Sequence, residues 1–163
     1  MPRSMARPEY PLEALRKLRD ERVEAQVQSL AAQLARADAA EQRLRERERA
    51  RREHAEQATE SVQQEQARLA AGQATGADLL RVSEFEQAVR AQAALLERAE
   101  AEARQALAQE RADEQKLRQK LSELEAEAEV VRKHEAGFRQ HHADAVQKAE
   151  EEAALEQWNA RRH

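Results

Sequence analysis

Residues 69–76 read Leu-Ala-Ala-Gly-Gln-Ala-Thr-Gly, and this stretch decides the fold. It holds Gly72 and Gly76, two of the three glycines, while all three prolines fall within the first eleven residues. Proline and glycine are the residues that most often interrupt a helix. Only Gly137 interrupts the long stretch that follows the connector. The sequence therefore predicts two very long helices joined by a short connector.

The composition favours helix over disorder. Of the 163 residues, 37% are charged and 2% aromatic, and Ala, Glu, Arg, Gln and Leu dominate. This is typical of coiled coils, although high charge with few aromatics also occurs in disordered chains, which is the minor alternative. The net charge of −4 shows no strongly basic character, so nucleic acid is not an expected partner.

Cysteine and long apolar runs are both missing from the sequence. Without cysteine there is neither a disulfide framework nor a thiolate metal site. No apolar run approaches the roughly 20 residues that a membrane span needs, and the N-terminus lacks the apolar core of a signal peptide. We therefore expect a soluble, cytoplasmic protein.

Apolar residues recur at heptad spacing on both predicted helices, as in a coiled coil. On the first helix Val23, Leu30, Ala37 and Leu44 share one position. We assign Val27 and Leu34 to its companion position. On the second helix the shared position is held by Val82, Val89, Leu96, Ala103, Leu117, Leu124, Val131 and Phe138.

A short connector places consecutive helices side by side in opposite directions. The predicted fold is all-α: a long antiparallel two-helix coiled-coil hairpin with a short tip connector and a C-terminal helical overhang. One domain spans 1–163, with helix 1 at about 11–71, the tip at about 72–83 and helix 2 at about 84–161. Thr75 with Asp78 and Ser83 with Glu86 both resemble capping boxes, so within this tip we expect a short helix near 77–82 that precedes the long one.

Folding the chain at this tip places Val23 opposite Val131, Leu34 opposite Leu121 and Ala58 opposite Leu96. Residues 144–163 are then left without a partner, as roughly 30 Å of single helix. Charged residues weaken the middle of the seam, so we expect only modest stability there. They are Glu41, Glu48, Arg51, Glu65, Glu110 and Glu114.

The sequence offers little for catalysis. It has no glycine-rich loop that could hold a phosphate, and its carboxylates lie on exposed helix faces where their pKa values are not tuned. We expect no enzyme, no catalytic residue and no cofactor. The histidines His134, His141 and His142 lack the i, i+4 pair of a helical metal site, so no metal is expected.

The arginine-rich residues 43–52 could contact RNA, but they alternate with Glu46 and Glu48 and have no aromatic neighbour. A solvated face, neutralised by an acidic-leaning stretch near 103–114, is the preferred interpretation.

Bulky apolar residues concentrate at the two ends of the chain. Tyr10, Leu12, Leu15 and Leu18 lie at the start, and Phe138, Val146, Leu155 and Trp158 near the end. Trp158 has no predicted intramolecular cover, which makes it an interface candidate. A second patch, Phe85, Val89 and Leu96, lies near the tip. A membrane-surface helix around Leu12–Leu18 is a further alternative, weakened by the acidic residues among them.

Together these features resemble the FliJ/YscO family, the central-stalk proteins of type III export ATPases in flagella and injectisomes. The resemblance covers nearly the whole chain. It rests on Tyr-Pro-Leu-Glu-Ala-Leu-Arg-Lys-Leu-Arg at 10–19, on Leu-Ala-Ala-Gly at 69–72 followed by Phe85 and Leu96, and on Leu-Glu-Gln-Trp-Asn-Ala-Arg-Arg at 155–162.

The resemblance implies a stalk whose two ends enter the pore of a hexameric secretion ATPase. The ATPase interface would then comprise Leu12, Leu15, Arg16, Leu18, Arg19, Phe138, Val146, Leu155 and Trp158. The tip residues Phe85, Val89 and Leu96 would face the export gate protein, and export chaperones would also bind. The chain would be monomeric alone and cytoplasmic, peripheral to the inner-membrane secretion apparatus, without direct membrane insertion. The alternative is a generic self-associating coiled-coil scaffold or tether.

Overall fold

The computed structural model describes residues 9–72 and 75–162, and it contains two long helices that pack against each other. Helix α1 runs from Glu13–Ala70 and helix α2 from Gly76–Ala160. The described residues contain no β-strand. The all-helical prediction is therefore confirmed.

Local interactions support both helices. The Glu13 backbone N–H donates to the Tyr10 carbonyl at 3.1 Å, just past Pro11, which suits the first turn because proline has no N–H to leave unpaired. Ion pairs one turn apart follow, such as Arg45 with Glu41 at 2.5 Å. Each such exposed pair contributes only about 0.3–0.5 kcal/mol, so packing of α1 on α2 is needed as well.

The end of α1 explains why glycine is needed at position 72. Gly72 has a φ of 71°, the left-handed region that costs a residue with a Cβ about 1–2 kcal/mol, and its N–H donates to the Leu69 carbonyl at 3.2 Å. An added Cβ would meet nothing within 4 Å, so the requirement comes from the backbone alone.

The connector is shorter than the predicted tip of 72–83. Helix α2 begins at Gly76 rather than near residue 84, and Ser83 lies inside it, so the second predicted capping box does not start a helix. Gln73 and Ala74 of the predicted connector lie outside the described residues.

The first predicted capping box does start α2. The Thr75 backbone N–H donates to the Asp78 carboxylate at 2.8 Å, and the Asp78 N–H donates to the Thr75 hydroxyl at 3.4 Å. The backbone N–H of Thr75 and, next, its hydroxyl both donate to the Asp78 carboxylate, and these two hydrogen bonds hold the pKa of Asp78 below its ordinary value of 3.8. Each of the two side chains thus accepts a hydrogen bond from a backbone N–H that has no partner within the helix.

Thr75→Ala removes the hydroxyl part of this cap and keeps the backbone N–H, and we expect it to lower the free energy of unfolding by about 1 kcal/mol in urea denaturation. Thr59→Ala is the matched control, because the exposed Thr59 hydroxyl only bonds to the Ala55 carbonyl within α1. It should change stability by less than about 0.5 kcal/mol. Equal effects of the two substitutions would show that the cap contributes nothing.

The lowered pKa of Asp78 also predicts how the stability contributed by this cap changes with pH. Because the folded pKa of Asp78 is lowered, its stabilisation is complete above the unfolded value of 3.8 and is lost as pH falls through the lower folded pKa. The difference between wild type and Thr75→Ala should therefore shrink below about pH 4.

Contacts divide the chain into two compact units. The terminal unit comprises Met1–Ser29 and Leu117–His163, and the inner unit comprises Leu30–Lys116. The single domain expected from the sequence stays a prediction.

The terminal unit has an apolar core on α2. Leu124, Ala128 and Val131 are buried at successive heptad positions. Across from them, the Gln26 amide donates to the Leu117 carbonyl at 3.0 Å. Arg132 forms an ion pair with Asp20 at 2.9 Å. Both contacts therefore join α1 to α2 within this unit.

The inner unit buries polar groups beside small apolar ones. Gln33 donates through its amide to the Glu110 carbonyl at 2.9 Å and also to the Glu110 carboxylate. Glu114, nearly inaccessible, pairs with Arg111 at 2.8 Å. Buried members of this unit are Gln33, Ala37, Ala40, Glu100 and Glu114. The expected interruption of the seam by charged residues is therefore seen at Glu114.

The pairing of the helices differs from the prediction by about one heptad. Ala58 lines a groove with Val89 rather than Leu96, and Arg22 and Gln26 line one with Leu124, so Val23 is not opposite Val131. The cause is the connector, because α2 begins at Gly76 and the turn therefore lies earlier in the chain than a tip of 72–83 would put it. A shift of one heptad keeps the apolar positions in phase, which is why the predicted pairs also matched.

Candidate interaction surfaces

Tyr10 closes the terminal unit. Its buried hydroxyl lies 2.8 Å from Nδ1 of His134 and donates to the Val131 carbonyl at 3.4 Å, and its ring centroid lies 5.6 Å from that of Phe138. Burial first, then the carboxylates of Glu135 and Glu13, raises the pKa of Tyr10, so the hydroxyl stays protonated at neutral pH. The ring of Tyr10 therefore covers Phe138, which is only half-buried.

The sequence analysis left Tyr10 out of the candidate interface residues, and it gave His134 no role in this contact. An aromatic residue directly before Pro11 is the signal that could have pointed to an anchor. Only the structure shows that its partners come from α2.

The predicted interface arginines already have carboxylate partners. Arg16 pairs with Glu13 at 2.6 Å and with Glu135 at 3.3 Å, and Arg19 pairs with Glu127. The hydrogen bond from Arg16 is the main cause that lowers the pKa of Glu13, and its counterpart raises the pKa of Arg16. Both arginines thus serve the contact between α1 and α2, which the sequence did not predict.

The predicted interface leucines near the start of α1 differ in exposure. Leu12 and Leu18 are exposed, whereas Leu15 is half-buried. Leu12 and Leu18 are therefore open to a partner.

The C-terminal segment comprises residues 140–162. Among the described residues, no hydrogen bond, ion pair or ring contact joins this segment to α1. The expected overhang of 144–163 stays a prediction.

Two bulky side chains of this segment lie open to solvent. Leu155 is 61% and Trp158 55% exposed, while Val146 is half-buried. The Arg162 guanidinium lies 4.3 Å above the Trp158 ring centroid, a cation–π arrangement. An exposed tryptophan held by an arginine is the kind of group that anchors protein interfaces.

The patch near the connector is broader than the sequence predicted. Phe85 is exposed, and Val89 and Leu96 are half-buried in the contact between the helices. Leu79 and Leu80, which the sequence analysis passed over, are more exposed than Phe85. Leu80 lies outside both heptad positions, which was the available signal, whereas Leu79 shares the companion position of Leu107 and Leu121 and gave no such signal.

Metal and membrane sites were also sought in the part of the chain that the structure describes. It holds no group of three or more His, Cys, Asp or Glu side chains able to bind a metal ion. Nor does it contain a helix with both the length and the apolarity needed to cross a bilayer.

The surfaces described above are suited to binding other proteins. Comparison with known proteins adds no relative, since no family model, curated protein or solved structure matches the chain.

Proposed function

We propose that this chain is a non-enzymatic central stalk of a type III secretion export ATPase. In this proposal α1 and α2 form an antiparallel coiled-coil hairpin whose two chain ends enter the pore of the hexameric ring. The protein acts in the cytoplasm, beside the inner-membrane secretion apparatus, and needs no cofactor. The observation that carries the proposal is the exposed pair Leu155 and Trp158, on a segment that has no hydrogen bond, ion pair or ring contact to α1 among the described residues.

The ring contact would use the exposed residues at both chain ends. Leu12 and Leu18 offer apolar surface on α1, while Leu155 and Trp158 offer it on the C-terminal segment. Arg16 and Arg19 are engaged with carboxylates of the same chain, so we assign them to shaping this end. An asymmetric helix pair inside a six-fold ring would contact its subunits unequally and so favour different states in them.

The patch around Phe85 would face the export gate protein, and export chaperones would be further partners. Leu79 and Leu80 extend the apolar surface available for the gate contact. A tether that only self-associates through its seam is the alternative, and it would need neither this patch nor the C-terminal segment.

Trp158→Ala should weaken binding to the hexameric ATPase at least tenfold, because truncating a central aromatic anchor typically costs more than 1 kcal/mol. Binding is measured by light scattering of the chain alone and mixed with the ring. A chain ending at residue 143 should not bind. Because the segment has no hydrogen bond, ion pair or ring contact to α1 among the described residues, Trp158→Ala should keep the circular dichroism of wild type. The chain ending at residue 143 should lose only the helical signal of the residues that it lacks.

Val130→Ala is the matched control, because Val130 is also exposed but lies outside the C-terminal segment. Its affinity for the ring should equal that of wild type. A stable homodimer that ignores both the ATPase and the truncation would refute the stalk and support the tether.

A further inference from the structure

Most of the arginines in residues 43–52 have no carboxylate partner. The stretch holds six arginines and two glutamates, and the sequence predicted that they would be neutralised. Arg45 pairs with Glu41, and Arg51 pairs with Glu100 at 2.6 Å. Within the described residues the other four make no ion pair or hydrogen bond, and all are exposed: Arg43, Arg47, Arg49 and Arg52.

Two of these unpaired arginines border a groove in the inner unit. Arg43 and Arg47 lie one turn apart on α1, and Glu102 is the acidic residue that lines the groove with them. The remaining lining residues are all alanine: Ala40, Ala99, Ala103 and Ala106. Because methyl groups take little space, another helix can approach this surface closely while its acidic side chains reach the guanidinium groups. We call this surface the arginine groove.

The C-terminal segment has the complementary features. Glu152 and Glu156 are exposed and lie one turn apart, the same spacing as Arg43 and Arg47. Residues 144–160 contain five acidic side chains and one basic one. Three exposed alanines, each four residues from the next, form the adjoining face of the segment: Ala145, Ala149 and Ala153.

We propose that the C-terminal segment of a second copy of this chain docks in the arginine groove. Its carboxylates at Glu152 and Glu156 contact the guanidinium groups of Arg43 and Arg47, and its alanines pack on the alanine floor. The alanine floor of the groove favours a helix as the occupant. RNA would need aromatic side chains on which its bases could stack. The proposal is independent of any ATPase ring.

Such a contact is weak and depends on salt, because exposed ion pairs contribute little individually and are screened at high ionic strength. We expect the mass measured by light scattering to rise with protein concentration at about 50 mM NaCl and to fall to that of the monomer at about 500 mM.

A charge exchange tests the contact directly. The variant R43E/R47E and the variant E152R/E156R should each remain monomeric under the conditions in which wild type associates. An equimolar mixture should regain association, since it unites wild-type groove with wild-type segment and reversed groove with reversed segment. Circular dichroism should show unchanged helix, because all four side chains are exposed.

The matched control is R45E/R49E, which makes the same charge change at the same spacing on residues that do not line the groove. It should associate like wild type. The proposal is overturned if wild type is monomeric at every concentration, if the mixture fails to associate, or if the control loses association equally. Binding of an RNA oligonucleotide without self-association would also overturn it.

Discussion

Leu124→Ala should lower the free energy of unfolding by about 3 kcal/mol, measured by urea denaturation followed by circular dichroism. Leu124 is 9% exposed and shares the small core of the terminal unit with Ala128 and Val131. Truncating Leu124 removes a bulky apolar side chain from this core and leaves a cavity. Two alanine-rich helices have few other side chains with which to fill it.

Leu80→Ala is the matched control for this substitution. It deletes the same atoms from the same helix at a side chain that is 69% exposed. Leucine and alanine have similar helix propensities, so stability should change by less than about 0.5 kcal/mol. Losses of equal size at both positions would mean that Leu124 is not part of a core.

The heptad phase of α2 was predictable from the sequence, whereas the turn was not. Val82, Val89 and Leu96 are half-buried, and Leu124 and Val131 are buried, as the spacing predicted. The turn failed because two stretches fit the same capping pattern. A hydroxyl three residues before a carboxylate occurs at Thr75 and again at Ser83, and nothing local distinguishes them.

The sequence also misjudged the companion position on α1. It assigned Val27 and Leu34 to the seam because they are apolar, yet Val27 is 46% exposed while Gln33 is 2% exposed. Gln33 can be buried because Glu110 on the other helix accepts hydrogen bonds from its amide. That partner is distant in sequence, so hydrophobicity alone favours the wrong residue.

For the candidate interaction surfaces, exposure could be predicted from the sequence, whereas the partners on the other helix could not. Exposure of Leu155 and Trp158 could be predicted, because the second helix is longer than the first and few residues of the first are left to cover its end. The partners of Arg16, Arg19 and Tyr10 could not, since each depends on which residues of α2 lie opposite. A pairing one heptad away presents a different set of carboxylates.

Glu114→Leu should raise the free energy of unfolding by about 1–2 kcal/mol. Glu114 is 2% exposed, and removing a carboxylate from water costs more than one ion pair usually returns. Arg111 keeps its second partner, Glu41, at 3.0 Å, so the substitution does not leave Arg111 unpaired. The new side chain would extend the apolar heptad series of Leu107 and Leu121.

Glu123→Leu is the control for this change, since Glu123 is exposed on the same helix and has only a distant contact with Lys120 at 3.9 Å. It should alter stability by less than about 0.5 kcal/mol. A gain specific to position 114 would show that the buried carboxylate lowers stability. Glu114 would then serve to distinguish the observed pairing of the helices from a pairing shifted by one heptad. The apolar positions alone do not distinguish these two pairings, because they match in both. A loss of stability instead would show that the carboxylate and its partners stabilise the inner unit.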